Sequence, residues 1–339
     1  MTELPGVDLG ALSSWLDAEH PGLRRGGLSG ELIAGGKSNL TFRITDGVTN
    51  WALRRPPLAH VLPTAHDMVR EFRVVSALTG TAVPVADAVA LCRNDSVLGA
   101  PFYLTAFVEG PVLDKPAVLD GLTATDATRT CELLVDTLVT LHDVDPGSVG
   151  LTDFGRPDGF LARQLRRWHQ QWQASETRPL AELDQTMQRL TATLPEQSDP
   201  GIVHGDYRLT NVIFAPALDR IAAVVDWEMA TLGDPLADVG LLVVYHDLAE
   251  SGQGPMPQMN SAAGFLTGSQ MIERYAKKSG RSLDRIDWYV ALGYFKLAVI
   301  SEGIHHRFLA GKTVGEGFER FGDTVPVLLR MALDLLGDN

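Results

Sequence analysis

Apolar and polar positions alternate in the first third of the chain and recur at helical spacing afterwards. The opening stretch, 1–26, carries Leu9, Leu12, Trp15 and Leu16 as a short amphipathic helix before a Gly/Arg turn. Strand-like runs follow at 28–34, 40–45 and 48–55. Asp46-Gly47 is a tight-hairpin signal between the last two, and Pro56-Pro57 ends the third. Between the first two lies Gly35-Gly36-Lys37-Ser38-Asn39, a small turn whose backbone N–H groups could face a ligand. Residues 65–79 read as a helix, with Met68, Phe72, Val75 and Leu78 on one face, Glu71 beside them and Gly80 after the end. Two more strands are predicted at 83–92 and 101–108, the second apolar enough to be buried, before Glu109-Gly110-Pro111 breaks it. The pattern predicts an N-terminal unit of five strands and one helix that ends near residue 110.

From Asp126 the period becomes helical. Leu133, Leu134, Leu138 and Leu141 mark one helix, and 160–173 and 183–194 read as two more. Short strands then flank Gly201-Ile-Val-His-Gly-Asp-Tyr-Arg-Leu-Thr-Asn-Val-Ile-Phe214 and end at Val224-Val-Asp-Trp-Glu228. Helices are predicted over 235–248, 265–279, 285–308 and 314–336. Residues 251–259 form a Gly/Pro/Gln/Met stretch without periodicity, read as a lid or a connector.

Composition narrows the class. The 339 residues are 45% hydrophobic and 21% charged, ordinary values for a soluble globular protein. The formal net charge of −13 gives no general attraction for nucleic acid or anionic membrane. The apolar runs fall short of the roughly 18 residues a bilayer span requires, and the first residues lack the features of a secretion signal. Cys92 and Cys131 are far apart and form no metal spacing, so a reducing, cytoplasmic setting is expected.

The chemistry concentrates in one stretch. Asp206 at the head of a loop can take a proton from an attacking hydroxyl. Asn211, five residues on, can offer an amide oxygen to a hard cation, and Asp226 offers a charged one. One base, two metal oxygens and a phosphate-facing turn suit phosphoryl transfer, which needs alignment and charge neutralisation more than covalent help. His204 reads as a structural anchor for the loop. Asp234 and Asp238 read as braces of the helix that follows.

The order of these features resembles the protein-kinase-like superfamily. His204-Gly-Asp206 stands in place of His-Arg-Asp, and Asp226-Trp-Glu228 in place of Asp-Phe-Gly, as in the aminoglycoside phosphotransferase family of small-molecule kinases. Ala52-Leu-Arg-Arg-Pro-Pro57 and Leu232-Gly-Asp-Pro-Leu-Ala-Asp-Val239 are most similar to the branch whose kinase-like domains are fused, in some proteins, to acyl-CoA dehydrogenases. The resemblance covers residues 25–310. It implies an α+β, bilobal protein-kinase-like fold, with an N-terminal extension over 1–26. A nucleotide-binding lobe over 27–108, a five-stranded antiparallel sheet plus helix, would end in a hinge at 105–108. A mainly helical C-terminal lobe over 109–339 would hold the catalytic loop 204–211, the metal strand 224–228 and the acceptor site.

The resemblance also implies roles. Asp206 is the expected catalytic base, and Asn211 and Asp226 the expected Mg²⁺ ligands. Arg54 takes the place of the strand-three Lys, and Glu71 is its ion-pair partner. Alternation supports that choice, since Ala52 and Arg54 share a face and Arg55 lies opposite. Arg is bulkier than Lys yet can still grip phosphates bidentately. Gly35, Gly36, Ser38 and Asn39 match the phosphate loop. The main chain of Ala106 and Val108 would read the adenine of ATP, with Ala52 packed on the ring. Tyr207, Arg208, Trp227 and Glu228 are adjacent to these groups and are candidates for the acceptor site. Glu302 and His305, in a polar cluster with His306 and Arg307, either line that site or form a solvated helix face. The implied activity is ATP- and Mg²⁺-dependent transfer to a small-molecule hydroxyl, the acceptor being a metabolite such as a hydroxyacyl thioester or an aminoglycoside-like compound. The alternative is a nucleotide-binding regulatory module without useful transfer activity.

Overall fold

The computed structural model describes residues 4–33, 39–58, 67–252, 264–313 and 317–337. The elements run α1 (Leu9–Glu19), β1 (Ser29–Leu32), β2 (Leu40–Thr45), β3 (Asn50–Arg55), α2 (Met68–Leu78), β4 (Ala88–Cys92), α3 (Asp95–Leu98), β5 (Phe102–Ala106), α4 (Pro116–Leu119), α5 (Ala124–His142), α6 (Phe160–Gln173) and α7 (Ala181–Ala192). They continue with β6 (Gly201–Val203), β7 (Val212–Phe214), β8 (Ile221–Val224), β9 (Thr231–Gly233), α8 (Leu236–Ser251), α9 (Gly268–Ser279), α10 (Ile286–Leu309) and α11 (Phe321–Leu336). No helix among the described residues is long and apolar enough to cross a membrane. The chain divides into two compact units: Met1–Pro111 with Val212–Pro216 and Ile221–Ala230, and the remainder.

The first unit is built on an antiparallel five-stranded sheet of order β1-β2-β3-β5-β4. Its strands form because apolar residues alternate: Phe42, Ile44, Trp51, Leu53, Phe102 and Leu104 share one buried face with Leu12 and Leu16 of α1. Arg55 points to that same side. It donates to the carbonyls of Gly6 and Leu98 and so pins the N-terminal segment. Ala52 and Arg54 face the other way, as alternation requires. The expected two-residue hairpin turn is instead a four-residue loop, because Thr45 pairs with Asn50 and the Asp46 carboxylate accepts from the N–H groups of Val48 and Thr49.

Helix α2 is capped by the Asp67 side chain and buries Met68, Val75 and Leu78, with Phe72 at its margin. The β7–β8 hairpin completes this unit: Phe214 N–H donates to the Pro111 carbonyl and Val224 N–H to that of Pro84. Those long-range bonds group 224–228 with the first unit, whereas the sequence places that strand in the C-terminal lobe.

The second unit is helical, with the small β6–β9 ribbon beside the loop 204–211. α8 and α10 are buried almost all round, which explains their lack of a polar stripe. α9 starts at Gly268, three residues later than its apolar pattern suggests, because Thr267 and Gln270 form a reciprocal capping box. α11 likewise starts at Phe321, after a single 3₁₀ turn over Phe318–Arg320. The predicted phosphate-loop residues Gly35, Gly36 and Ser38, most of the stretch 251–259, and the starts of the helices predicted at 65 and 314 lie outside the described residues.

Candidate functional site

In the first unit, strand β3 and helix α2 bring Arg54 against Glu71, Nε to Oε1 at 2.8 Å. The turn after β8 brings Asp226 to the same guanidinium, Nη2 to Oδ1 at 2.5 Å, and Glu228 lies at 4.0 Å. Asn39 donates its amide to Glu228 at 2.9 Å. Three carboxylates thus surround one cation. Burial pushes the Glu71 carboxyl up while Arg54 pulls it down. Burial opposes the charge of Arg54, yet Glu71 and its other neighbours leave the guanidinium held above its ordinary value and firmly protonated. Asp226 sits at φ 68°, ψ 60°, the left-handed region that a non-glycine residue adopts at a cost.

A cleft adjoins this cluster, lined by Ala52, Arg54, Val75, Tyr103, Thr105 and Asp226 among others. Ala52 is therefore on the wall where a ring could pack. The N–H of Ala106 is taken by the Asp87 carbonyl at 2.8 Å, so of Ala106 only the carbonyl could read a base. Val108 follows the end of β5. Trp227 is buried and donates its indole N–H to the Val224 carbonyl, which removes it from the acceptor candidates and makes it a prop for the turn that carries Asp226.

In the second unit, the loop after β6 presents Asp206. Asn211 donates its amide nitrogen both to the Asp206 carbonyl, at 2.8 Å, and to its Oδ2, at 2.9 Å. The same amide's oxygen is thereby turned away from Asp206, the orientation a cation ligand needs. Tyr245 on α8 donates to Asp206 Oδ1 at 2.6 Å, and Arg208 Nε lies 3.4 Å from Oδ2 while its guanidinium covers the Tyr245 ring at 4.9 Å. His204 is fully buried. Its Nδ1 accepts from the Asp206 N–H and its ring stands edge-on to Tyr207, the anchoring role expected of it.

Asp238 does more than brace its helix. It accepts from the N–H groups of His204 and Gly205 at 2.6 and 2.8 Å and faces His142 at 3.4 Å. Burial works against its charge, but the His142 contact and these N–H groups win and hold the carboxyl below its usual range. Lys296 on α10 donates to the Gly205 carbonyl at 2.6 Å. Burial lowers its pKa, and the nearby Asp206 and Asp238 resist that fall.

Three acceptor candidates lie elsewhere. Tyr207 is fully buried with its hydroxyl on the Leu134 carbonyl. Glu302 is fully buried and accepts from the N–H and hydroxyl of Thr177, so it is neither solvated nor open to a ligand. The His305 ring lies over Gly322, where a Cβ would approach it to 2.6 Å. Conversely, Tyr245 and Lys296 reach the Asp206 loop without being singled out by the sequence: each is a polar group inside the apolar run of α8 or α10, which implies a partner but does not say which.

The chain belongs to the phosphotransferase enzyme family that includes the aminoglycoside kinases, whose sequence profile matches residues 29–276. A crystal structure from Ralstonia eutropha JMP134, assigned to the aminoglycoside phosphotransferases, is 32% identical, covers 97% of this chain and 98% of its own, and superposes with a TM-score of 0.83. A ternary complex of a thermostable aminoglycoside phosphotransferase with AMP-PNP and hygromycin B shares the fold, with a TM-score of 0.61 at 15% identity. Rat acyl-CoA dehydrogenase family member 11 is 31% identical over 97% of this chain and 43% of its own length. Mouse family member 10 is 32% identical over 88% of this chain and 28% of its own. The chain thus spans less than half the length of these relatives.

Proposed function

We propose that the protein transfers the γ-phosphoryl group of ATP, with Mg²⁺, to a hydroxyl of a small molecule. Asp206 is the base. Its carboxylate is fixed by Asn211 and Tyr245, and its loop is held by Asp238 and Lys296. The acceptor hydroxyl gives its proton to Asp206 as its oxygen bonds to the γ-phosphorus, and the bond from that phosphorus to the β-phosphate bridge breaks, releasing ADP. Arg54, oriented by Glu71, grips the phosphates.

The donor set suits Mg²⁺. An amide oxygen from Asn211 with a carboxylate from Asp226 would be the sparse oxygen set Mg²⁺ takes alongside phosphates. Bound there, Mg²⁺ would neutralise phosphate charge. Neighbouring structures hold AMP-PNP or GDP, which supports a nucleotide donor. The buried free thiols of Cys92 and Cys131 suit a reducing, cytoplasmic setting.

The observation that carries this reading is the double hydrogen bond from Asn211 to Asp206, which sets the base and presents the amide oxygen in one stroke. Hydroxyacyl thioesters, simple alcohols and aminoglycosides would be assayed with Mg-ATP by ADP release and ³¹P NMR. With an accepted alcohol, Asp206→Ala lowers turnover by about a hundredfold or more and leaves Mg-ATP binding within a few-fold. Near wild-type turnover in Asp206→Ala would remove Asp206 as the base. Nucleotide binding without transfer to any acceptor would instead favour the regulatory reading.

A further inference from the structure

Helix α6 is a basic element of an acidic chain. It carries Arg163, Arg166 and Arg167 and no Asp or Glu, in a molecule whose net charge is −13. Arg163 is engaged by the main-chain carbonyls of Arg156 and Asp158. Arg167 has no ion pair among the described residues, and its guanidinium lies 6.0 Å from the centre of the Trp168 ring. The ammonium of Lys296, from α10, lies over the same ring at 5.4 Å.

Lys296 ties this helix to the base. Its Nζ donates to the carbonyl of Gly205, the residue before Asp206. An ammonium has three donors, and the other two meet no acceptor among the described residues. Burial disfavours its charge, Asp206 and Asp238 support it, and Arg167 and Arg208 oppose it. Arg208 is itself held by Asp206 at 3.4 Å. Three cations therefore gather beside the loop of the base against their mutual repulsion, a cost that an anion arriving among them would relieve. The place is open to a solute. The Asp206 and Arg208 side chains keep 21% and 27% of their surface exposed, Lys296 is only part-buried and Arg167 is exposed.

Resting on the phosphotransferase reading of Asp206, we propose that Lys296 and Arg167 receive an oxyanion of the acceptor, so that the substrate is an alcohol that also carries a carboxylate or phosphate group. Asp206 takes the reacting hydroxyl, and the two cations beside Trp168 hold the charged end and determine specificity. The oxyanion supplies the acceptors that two N–H groups of Lys296 lack, and Arg167 meets it with charge-assisted hydrogen bonds. A polycationic sugar is turned away, because its ammonium groups would meet like charges there.

The test uses the full chain and probes that share a terminal hydroxyl and differ in charge at the other end. These are ω-hydroxycarboxylates and ω-hydroxyalkyl phosphates of increasing length, the neutral ω-hydroxyamides that match the carboxylates, and ω-amino alcohols. Binding is read by calorimetry at low and high salt, and transfer by ADP release with Mg-ATP. In the wild type, an anion of fitting length binds at least about tenfold more tightly than the amide. The amino alcohol binds weakest, and the gap narrows as salt rises. Lys296→Met and Arg167→Gln each lose most of the preference. Arg166→Gln removes the same charge from the neighbouring position of α6, which is not among the charges that reach Lys296, and keeps the preference. Tighter binding of phosphates points to a phosphorylated carrier and tighter binding of carboxylates to a free hydroxy acid, and either supports the site. Equal binding of anions and amides, a preference for amino alcohols, or no binding by any anion would overturn the inference. So would a preference that survives both Lys296→Met and Arg167→Gln, or one lost as fully in Arg166→Gln as in Arg167→Gln. Should Lys296→Met fail to fold, the wild-type series and the two arginine variants decide. Anions that bind with the expected signature yet are never phosphorylated would leave the site standing and remove the phosphotransferase reading. Transfer as efficient to amides as to anions would do the reverse.

Discussion

At the scale of single residues, two carboxylates are held against their own preferences, and both can be measured. Asp226 adopts φ 68°, which Asn tolerates and a bulky side chain does not. Asp226→Leu is expected to lose about 1–2 kcal/mol more in urea unfolding than Asp226→Asn, since both remove the ion pair to Arg54 and only Leu adds backbone strain. Equal losses would mean that the turn relaxes out of the left-handed region at no cost. Asp247 on α8 is pushed from the ordinary 3.8 up to about 6, by burial first and then by Glu250, while a 3.5 Å hydrogen bond from Tyr294 pulls the other way. The native state therefore binds this proton more tightly than the unfolded chain does, and the group costs stability as the pH rises from about 4 through 6. Above that window the cost is fully present, and below it absent. Asp247→Asn should raise Tm relative to wild type at pH 7.5, with an advantage that fades towards pH 4. An advantage independent of pH would show that the carboxyl titrates normally.

At the scale of elements, the crossing of α8 and α10 decides where the loop 204–211 can sit. A Cβ on Gly240 would lie 2.5 Å from the main-chain carbon and oxygen of Tyr289, which cannot yield as a flexible side chain can. Gly293 faces Val244 less tightly, at 3.0 Å. Gly240→Ala should cost about 1–3 kcal/mol by overpacking and Gly293→Ala less. Because α8 also carries Asp238 and Tyr245, Gly240→Ala should lower turnover beyond its effect on stability, as read by activity at a temperature where the variant remains folded. A stable, fully active Gly240→Ala would mean that the helices separate freely.

The same crossing shows where sequence reading reaches its limit. The face shared by Ala52 and Arg54 was legible, because a half-buried strand alternates with period two and Arg55 had to go the other way. The contacts of Tyr245 and Lys296 are not legible. α8 and α10 are buried on most sides, so no polar stripe marks which face meets the loop, and the partners of these two residues lie 39 and 91 residues away in the chain. Glu302 misled for the same reason: its i,i+4 spacing to His306 resembles an exposed pair, while its true partner is Thr177.

At the scale of the whole molecule, the features hidden from the sequence are the non-local ones. The strand order β1-β2-β3-β5-β4 and the attachment of 212–216 and 221–230 to the first unit depend on pairings such as Val224 with Pro84, which no local pattern encodes. The motif order carrying Asp206, Asn211 and Asp226 is local and so can be read from the sequence. It also has a global consequence. A ligand that binds only the folded chain stabilises it by RT ln(1 + [L]/Kd), about 2.7 kcal/mol at a hundredfold excess over Kd. The carboxylates around Arg54 repel phosphates in a chain already carrying a net charge of −13, so ATP without a divalent cation should bind weakly. Mg-ATP is therefore expected to raise the wild-type Tm by several degrees, and most of the rise should vanish with excess EDTA. Asn211→Ala and Asp226→Asn, each lacking one proposed oxygen ligand, should lose the Mg²⁺-dependent part while keeping a folded baseline. A rise that is indifferent to EDTA, or unchanged in both variants, would place the nucleotide's charge compensation on Arg54 alone and remove Asn211 and Asp226 as metal ligands.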